Sequence, residues 1–181
     1  CLSVHIGSQI LDYKPYEKML KVIDKILNRL DFKFEFIDLG GGMGISYIGD
    51  KKKLDYKRYN FAIKDFLKRH KSKIIFEPGR SIVGNIGTLI SKIIYIKKSE
   101  KKNFVILDAA MNDLMRPALY GALHRTLPVT KSRKTSKKPY EFVGPICEST
   151  DNFITLKKFQ QLKEKDLIAI CDVGAYGMSL S

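Results

Sequence analysis

Apolar residues in the first half of the chain follow two alternating periodicities. Residues 1–6 alternate apolar with small side chains, which predicts a strand that ends at Gly7-Ser8. From Pro15 onward the spacing becomes the i, i+3, i+4, i+7 rule of an amphipathic helix, with apolar residues at Tyr16, Met19, Leu20, Ile23, Ile26, Leu27 and Leu30. The chain is therefore expected to open with a strand and a helix.

The alternation continues as far as residue 76. Residues 34–39 predict a second strand, which ends in a run of glycines. Residues 56–70 predict a second helix, and residues 73–76, with the apolar side chains of Ile74, Ile75 and Phe76, predict a short buried strand. The apolar face of the second helix is formed by Tyr59, Ile63, Phe66 and Leu67. The order β-α-β-α-β is typical of a parallel sheet or a (β/α) barrel.

After about residue 84 the pattern changes to strands. Residues 88–98, 103–107, 140–143 and 167–173 are strand-like, and residues 156–162 form the one short helical candidate. This half predicts a mostly antiparallel β domain. Because three strands cannot close an eight-stranded barrel of ~250 residues, we expect residues 1–84 to be the end of a barrel and residues 85–181 a β-sheet domain that is incomplete at its end. The chain is expected to be an internal fragment of a longer protein.

The net charge of +14 first suggests a nucleic-acid-binding protein. The lysines, however, are scattered through every segment and do not alternate with aromatic residues, so no nucleic-acid partner is expected. The exception is the basic run at residues 131–138, which is interpreted as a solvated loop.

Cysteine usage and hydropathy bear on the compartment. Cys1, Cys147 and Cys171 lack the spacing of a metal site and are too few for a disulfide framework, which favours a reducing cytoplasm. No apolar run approaches the ~18 residues of a membrane span, and no targeting pattern is present. We therefore expect a cytoplasmic protein without bound metal.

The stretch Phe76-Glu77-Pro78-Gly79-Arg80-Ser81 is the centre around which the other motifs are arranged. Pro78 cannot donate to a sheet and Gly79 permits unusual backbone angles, so the strand must end here. Glu77 and Arg80 are then placed at the carboxyl end of a strand, where α/β folds carry their chemistry. Two interpretations stay open: a ligand-binding pair, or two charges that only pair with each other.

Two earlier strand ends carry residues suited to the same edge. Gly40, Gly41 and Gly42 allow backbone N–H groups to converge on an anion such as a phosphate, although a bare turn explains them equally. His5 could stack on a flat ring and Ser8 could donate a hydroxyl, whereas a structural histidine is the alternative.

The second half contains three further candidate stretches. Arg116 and Tyr120 lie four residues apart around a proline, and an arginine suits the carboxylate of an amino acid, unless it is simply a surface residue. Cys147 and Glu148 follow a Gly-Pro turn, where a thiol can act as a general acid or be an inert buried residue. Tyr176 lies between glycines after a strand, so its phenol could reach a ligand.

Taken in this order, six motifs resemble the fold-type III pyridoxal-phosphate-dependent decarboxylases. They are HIGSQ, DLGGGMGI, EPGRSIVG, DAAMNDLMRPALYGA, GPICESTD and DVGAYG. The resemblance spans nearly the whole chain and implies an α/β fold followed by β: the last three βα units of an alanine-racemase-like (β/α)8 barrel, then the C-terminal β domain. It also implies pyridoxal 5'-phosphate as the cofactor.

The resemblance assigns cofactor roles to residues of these motifs. His5 would stack on the pyridoxal ring, Glu77 would hydrogen-bond the pyridine nitrogen, and Tyr176 would contact the cofactor. The phosphate would be held by Ser8, by the loop Gly40, Gly41 and Gly42, and by the turn Pro78, Gly79 and Arg80.

Substrate roles follow in the same way. Cys147 would supply the proton that replaces CO₂, and the substrate would be contacted by Arg80, Arg116, Tyr120, Glu148 and Tyr176. The sequence Cys147-Glu148-Ser149 favours meso-2,6-diaminopimelate, converted to L-lysine in the last step of lysine synthesis, over ornithine or arginine, whose enzymes usually carry Cys-Asp-Gly there. Other basic amino acids remain an alternative, as does a non-catalytic regulator, which would be expected to lack Cys147 or Glu77.

One family feature is absent from this sequence. The lysine that forms the Schiff base with the cofactor lies on an early barrel strand, and no lysine here has that context. In the dimers of this family the proton-donating cysteine reaches into the active site of the other subunit. The resemblance therefore implies a homodimer with shared sites, and a fragment that is inactive by itself.

Overall fold

The computed structural model of the protein describes residues 1–30, 32–49 and 52–181. These residues form two compact units. The first comprises Cys1–Ser46 with residues 52–82, and the second comprises Tyr47–Gly49 with Val83–Ser181.

In the described part of the first unit, three short parallel strands alternate with helices. The elements are β1 (Leu2–Ser3), α1 (Lys14–Leu27), β2 (Phe36–Asp38), α2 (Tyr56–Arg69), β3 (Lys73–Ile75) and the single turn α3 (Arg80–Val83). The strand order is β1-β2-β3, with Leu2 opposite Ile37 and Ile37 opposite Ile74. The predicted β-α-β-α-β order is confirmed, although each strand is shorter than the sequence pattern suggested.

The two long helices cover one face of this sheet. Pro15 lies in the first turn of α1, where its missing N–H costs nothing. Asp55 caps α2 by accepting hydrogen bonds from Lys57 N and Arg58 N at 3.1 and 3.0 Å. The buried core between helices and sheet contains Tyr16, Met19, Leu20, Ile23, Ile37, Leu39, Tyr59, Ile63 and Phe66.

Two expectations about the first unit are wrong. Helix α1 ends at Leu27, so Leu30 lies outside it, and both Ile26 and Leu30 are exposed. Strand β3 is not buried: Ile75 is 39% and Phe76 41% exposed. The reason for Ile75 is that Ile74 packs against the core beneath the helices, so Ile75 points to the opposite face of the sheet.

The second unit is built on a six-stranded sheet within residues 83–181, all of which are described. Its elements are β4 (Thr88–Lys98), β5 (Asn103–Leu107), α4 (Arg116–Tyr120), β6 (Thr126–Pro128), β7 (Tyr140–Val143), β8 (Asn152–Leu156) and β9 (Leu167–Cys171). The strand order is β6-β9-β4-β5-β7-β8, and in this range the pair β5–β7 alone is parallel. The predicted mostly antiparallel sheet is confirmed.

The helical candidate at residues 156–162 is wrong. Leu156 ends strand β8, and the residues that follow form an irregular segment. That segment is fixed by tertiary contacts: Leu162 is buried and its N–H donates to Tyr140 Oη at 3.3 Å. Strands β6 and β8 and helices α3 and α4 were not predicted, because short elements carry too little periodicity to be recognised.

The basic run that the sequence analysis interpreted as a loop has a structural counterpart. The basic run 131–138 forms the connection between β6 and β7, and its lysine and arginine side chains are exposed. Across residues 1–30, 32–49 and 52–181, no helix combines the length and the apolar character needed to cross a membrane.

Candidate functional site

The glycine run after β2 is fixed by a carboxylate and a phenol. Asp38 Oδ1 accepts the N–H of Gly40 at 2.8 Å, and Gly40 has the left-handed φ of +64° that glycine tolerates. From α1, Tyr16 Oη donates to the carbonyl of Gly41 at 3.1 Å. Burial raises the pKa of Tyr16 to about 12, with a smaller contribution from Tyr56, so this phenol stays neutral and can donate.

The absence of side chains in this run lets three strand ends approach one another. A Cβ on Gly41 would lie 2.2 Å from the carbonyl oxygen of Glu77, and one on Gly42 would lie 2.3 Å from that of Gly7. A Cβ on Gly40 would lie 2.9 Å from Nδ1 of His5. In addition, Glu77 N–H donates to the carbonyl of Gly40 at 2.9 Å. The loops after β1, β2 and β3 are thus in direct contact.

Arg80 links the first and third of these loops. Its side chain is only 8% exposed, and its Nη2 and Nε donate to Ser8 Oγ at 3.1 and 3.4 Å. Glu77 is exposed at the same edge. A buried guanidinium, a hydroxyl, an imidazole and a carboxylate are therefore grouped in the first unit, a set that suits a ring-containing ligand with an anionic group.

In the second unit, Cys147 and Glu148 lie in the loop between β7 and β8. Both are exposed, and Cys147 is a free thiol. The Glu148 carboxylate accepts Thr150 N–H at 3.2 Å and Ser149 Oγ–H at 3.1 Å. These bonds, that from Thr150 first, lower the pKa of Glu148, so this carboxylate is ionised at neutral pH.

This loop is organised from inside by Asp151, whose side chain is 3% exposed. Its Oδ1 accepts the N–H of Met111 at 2.7 Å and its Oδ2 accepts the N–H of Ile146 at 2.9 Å. A Cβ on Gly144 would lie 2.2 Å from Oδ2, so only glycine fits at that position. Asp151 thereby joins the cysteine loop to the turn that precedes α4.

Arg116 is buried at the start of α4 and is surrounded by two rings. Its guanidinium carbon lies 4.7 Å from the centroid of the Tyr47 ring, and its Nη1 lies 3.0 Å from Nε2 of His124. The other predicted residue of this helix, Tyr120, is exposed.

Tyr176 lies in a tight turn after β9. Its backbone φ is +59°, which is uncommon for a residue with a side chain and is often found at ligand sites. The turn packs against residues 84–87, because Val173 N–H donates to Gly87 O and Gly174 N–H donates to Gly84 O, both at 3.1 Å. Tyr176 is 46% exposed.

Four residues that shape these sites were not assigned a role from the sequence: Tyr16, Tyr47, His124 and Asp151. Tyr16 was correctly expected in the core, but periodicity does not indicate what its hydroxyl contacts. Asp151 lies within the GPICESTD motif, where its position four residues after Cys147 was an available signal. No local pattern distinguishes Tyr47 or His124.

Comparison with known proteins gives the family. The model of the family described as "Pyridoxal-dependent decarboxylase, C-terminal sheet domain" matches residues 11–174. The chain belongs to this family.

Similar decarboxylases are found among characterised sequences and structures. The chain is 40% identical over 181 residues to diaminopimelate decarboxylase of Aquifex aeolicus, covering 98% of this chain and 43% of that protein. It is 42% identical over 184 residues to the enzyme of the same name from Zymomonas mobilis, covering 99% and 43%. The crystal structure of Helicobacter pylori diaminopimelate decarboxylase complexed with L-lysine matches with a TM-score of 0.89 and 41% identity, covering 99% of this chain and 45% of that one. The chain thus spans less than half the length of these decarboxylases.

Proposed function

We propose that this chain is part of a pyridoxal-phosphate-dependent decarboxylase that converts meso-2,6-diaminopimelate to L-lysine and CO₂, the last step of lysine synthesis. The observation that carries the proposal is the meeting of His5, Ser8, the glycine run, Glu77 and Arg80 at one edge of the parallel sheet. Membership of the family and about 40% identity to diaminopimelate decarboxylases support it.

The residues at this edge fit the cofactor. Arg80 and Ser8 provide a buried cation and a hydroxyl for the phosphate, together with the backbone of Gly40, Gly41, Gly42, Pro78 and Gly79. A Cβ at Gly79 would meet no atom within 4 Å, so a ligand has room there. His5 supplies a flat ring for stacking, and the exposed Glu77 carboxylate can accept a hydrogen bond from the pyridine nitrogen.

When bound, pyridoxal phosphate would supply an electron sink for the decarboxylation, in which the bond between the α-carbon and the carboxylate breaks and CO₂ leaves. The task of Glu77 is to hold a proton on the pyridine nitrogen, and the task of Cys147 is to donate the Sγ proton to that carbon. The exposure of the Cys147 thiol, on a loop that Asp151 holds in shape, supports this role.

Proposed substrate recognition involves both an anionic and a cationic side chain. The ionised Glu148 suits the distal amino group of diaminopimelate, and the guanidinium of Arg116 suits its distal carboxylate. Arg80, Tyr120 and Tyr176 complete the proposed set, and Tyr176 also contacts the cofactor. The L-lysine in the Helicobacter pylori structure is chemically the product of this reaction and supports the assignment.

We further propose the architecture of the whole enzyme. Residues 1–84 would form the last three units of a (β/α)8 barrel, and residues 85–181 part of the C-terminal β-sheet domain. The cofactor-binding lysine would lie in the portion of the relatives that this chain does not cover. The enzyme would be a cytoplasmic homodimer with shared active sites, and its free cysteines are consistent with a reducing compartment.

The test uses the full-length protein that contains this sequence, reconstituted with pyridoxal phosphate. We expect CO₂ release from meso-diaminopimelate, and not from ornithine or arginine. Replacing Cys147 by Ala is expected to leave cofactor absorbance intact and to lower kcat by 10²–10⁴-fold, the usual loss for a missing general acid. Cys1→Ser is the matched control, because Cys1 is also an exposed free thiol.

The outcomes separate the alternatives. Turnover of ornithine or arginine in place of diaminopimelate would make the substrate assignment wrong. No turnover of any amino acid would favour a non-catalytic regulator. Normal turnover by the Cys147→Ala variant would remove that residue from the mechanism.

A further inference from the structure

A buried histidine lies next to the arginine that is proposed to bind the substrate carboxylate. His124 is 1% exposed and follows α4, whose C-cap Gly121 adopts a left-handed φ of +59° and turns the chain back. The imidazole Nε2 lies 3.0 Å from Arg116 Nη1, and Nδ1 lies 3.0 Å from the carbonyl oxygen of Cys171 at the end of β9.

The chemistry of these partners determines the protonation of the ring. A guanidinium carries only N–H donors, so Nε2 of His124 must present its lone pair to Arg116. A carbonyl oxygen only accepts, so Nδ1 must carry the hydrogen that points at Cys171. The neutral Nδ1–H tautomer alone satisfies both contacts. An imidazolium would place an N–H against an N–H and two buried cations side by side.

Tyr47 holds the same guanidinium from another side. Its ring lies under Arg116 at 4.7 Å, a cation–π contact, and it meets the His124 ring edge-to-face at a centroid distance of 5.1 Å. The His124 nitrogen and the Tyr47 ring face thus both restrain the Arg116 side chain.

We propose that His124 is a positioning residue for Arg116. As a neutral acceptor anchored on β9, it aligns the guanidinium for the distal carboxylate of the substrate. This inference rests on the proposed function, in which Arg116 binds that carboxylate. On this inference, His124 of the second unit affects substrate affinity without contacting the substrate itself.

A pair of substitutions separates this role from a structural one. In His124→Gln the side-chain oxygen reaches the position of Nε2 and can still accept from Arg116, but the contact to Cys171 is lost. In His124→Asn the amide nitrogen occupies the position of Nδ1 and can still donate to Cys171, but the acceptor for Arg116 is lost. If His124 only supported the backbone at Cys171, Asn would be the better replacement.

The expected result in the full-length enzyme is a split between KM and kcat. His124→Asn should raise KM for diaminopimelate about tenfold, in the range expected for one hydrogen bond to a charged group, while kcat changes little because ground state and transition state lose the same contact. His124→Gln should restore most of the lost affinity. In an Arg116→Ala background, His124→Asn should raise KM no further.

Three results would overturn the inference: an unchanged KM in His124→Asn, a KM for His124→Gln at least as high as that for His124→Asn, or additive effects in the double variant. Nitrogen-15 NMR of His124 in the wild-type protein is an independent measurement, since it needs no substrate and no variant. It should report the Nδ1–H tautomer, and either the Nε2–H tautomer or the imidazolium would contradict the proposed contact.

Failure of the proposed function has a different signature. If the wild-type holoenzyme neither decarboxylates diaminopimelate nor binds L-lysine, the substrate role of Arg116 is wrong, and the inference is wrong with it. The NMR result then decides only whether His124 accepts a hydrogen bond from Arg116.

Discussion

Each glycine of the run 40–42 packs against a different neighbour, so this run is not simply a flexible linker. Gly40 faces His5, Gly41 faces the backbone of Glu77, and Gly42 faces that of Gly7. The sequence alone suggests that these glycines form a phosphate loop or a bare turn. The contacts give a further explanation for glycine at these positions, namely that the loops pack closely against one another.

Gly41→Ala is expected to destabilise the protein by ~1–3 kcal/mol, because the new methyl group would lie 2.2 Å from the carbonyl oxygen of Glu77 and backbone must move to admit it. Urea unfolding of the full-length protein measures the change. Gly79→Ala is the matched control, since a Cβ there meets nothing within 4 Å. Equal stability of the two variants would contradict the proposed packing.

Asp151→Asn is expected to loosen the cysteine loop. An amide has one acceptor oxygen, so either Met111 N–H or Ile146 N–H would face an NH₂ group in place of a carboxylate oxygen. We expect faster hydrogen exchange at these two amides and a loss of ~2 kcal/mol in unfolding free energy.

Asp166→Asn is the comparison for this variant, because the carboxylate of Asp166 accepts one backbone N–H, that of Lys163, in an exposed turn. Its exchange pattern at Met111 and Ile146 should equal that of the wild type. If Asp151→Asn also left those two amides unchanged, Asp151 would not be what holds the loop.

At the scale of elements, helices α1 and α2 are joined near their C-termini by a charged cluster. Asp24 Oδ1 on α1 lies 2.5 Å from His70 Nε2 and 3.3 Å from Arg69 Nε. Arg69 also pairs with Asp65. The hydrogen bond from His70, followed by that from Arg69, lowers the pKa of Asp24 below its ordinary value of 3.8.

The lowered pKa predicts how stability depends on pH. Because the folded-state pKa of Asp24 lies below the unfolded one, its contribution is present above about pH 4 and is lost as the pH falls through the folded-state value. Asp24→Asn should therefore unfold more easily than the wild type at neutral pH, by up to ~1 kcal/mol. The difference should shrink as urea titrations are taken down towards pH 3.

An exposed ion pair provides the control for this titration. Glu35 and Lys73 lie 3.0 Å apart with both side chains 69% exposed, so Glu35→Gln should change stability little at any of these pH values. A gap between wild type and Asp24→Asn that stayed constant with pH would show that charge on Asp24 is not what joins the helices.

At the scale of the molecule, one face of the parallel sheet bears on the proposed barrel. Ile74 packs against the core beneath α1 and α2, so Ile75 must point to the opposite face, where its register partner is Asp38. In the proposed barrel that face is the interior. An apolar side chain that is 39% exposed in this chain would then be covered in the full-length enzyme.

Ile75→Lys tests this placement. In the full-length protein it should reduce stability by at least ~3 kcal/mol, because a charge would be buried in the barrel beside Asp38, whose carboxylate already accepts hydrogen bonds from Gly40 N–H and Ser3 Oγ–H. Ile26→Lys on α1 is the matched control, since Ile26 is exposed to a similar degree, 43%, on the outer side of a helix. Tolerance of Ile75→Lys in thermal unfolding would count against a closed barrel.

Local patterns in the sequence were sufficient for the long elements and for the family. The periodicity of residues 16–30 and 56–70 and the strands at 88–98, 103–107 and 140–143 predicted helices and strands that the structure contains, with the first helix ending at Leu27, because these segments place apolar side chains on one face within a few residues. The six motifs likewise indicated a pyridoxal-phosphate-dependent decarboxylase before any geometry was available, and the family match agrees.

Only the tertiary structure decided which distant residues meet. The contact of Arg116 with Tyr47, the contact of His124 with Cys171, and that of Asp151 with Met111 depend on how segments far apart in the chain pack together. Such contacts leave no periodic trace, since one histidine or one aspartate is compatible with many environments. The physical reason is that a pattern records which side of an element is apolar, whereas a site requires knowing what lies opposite that side.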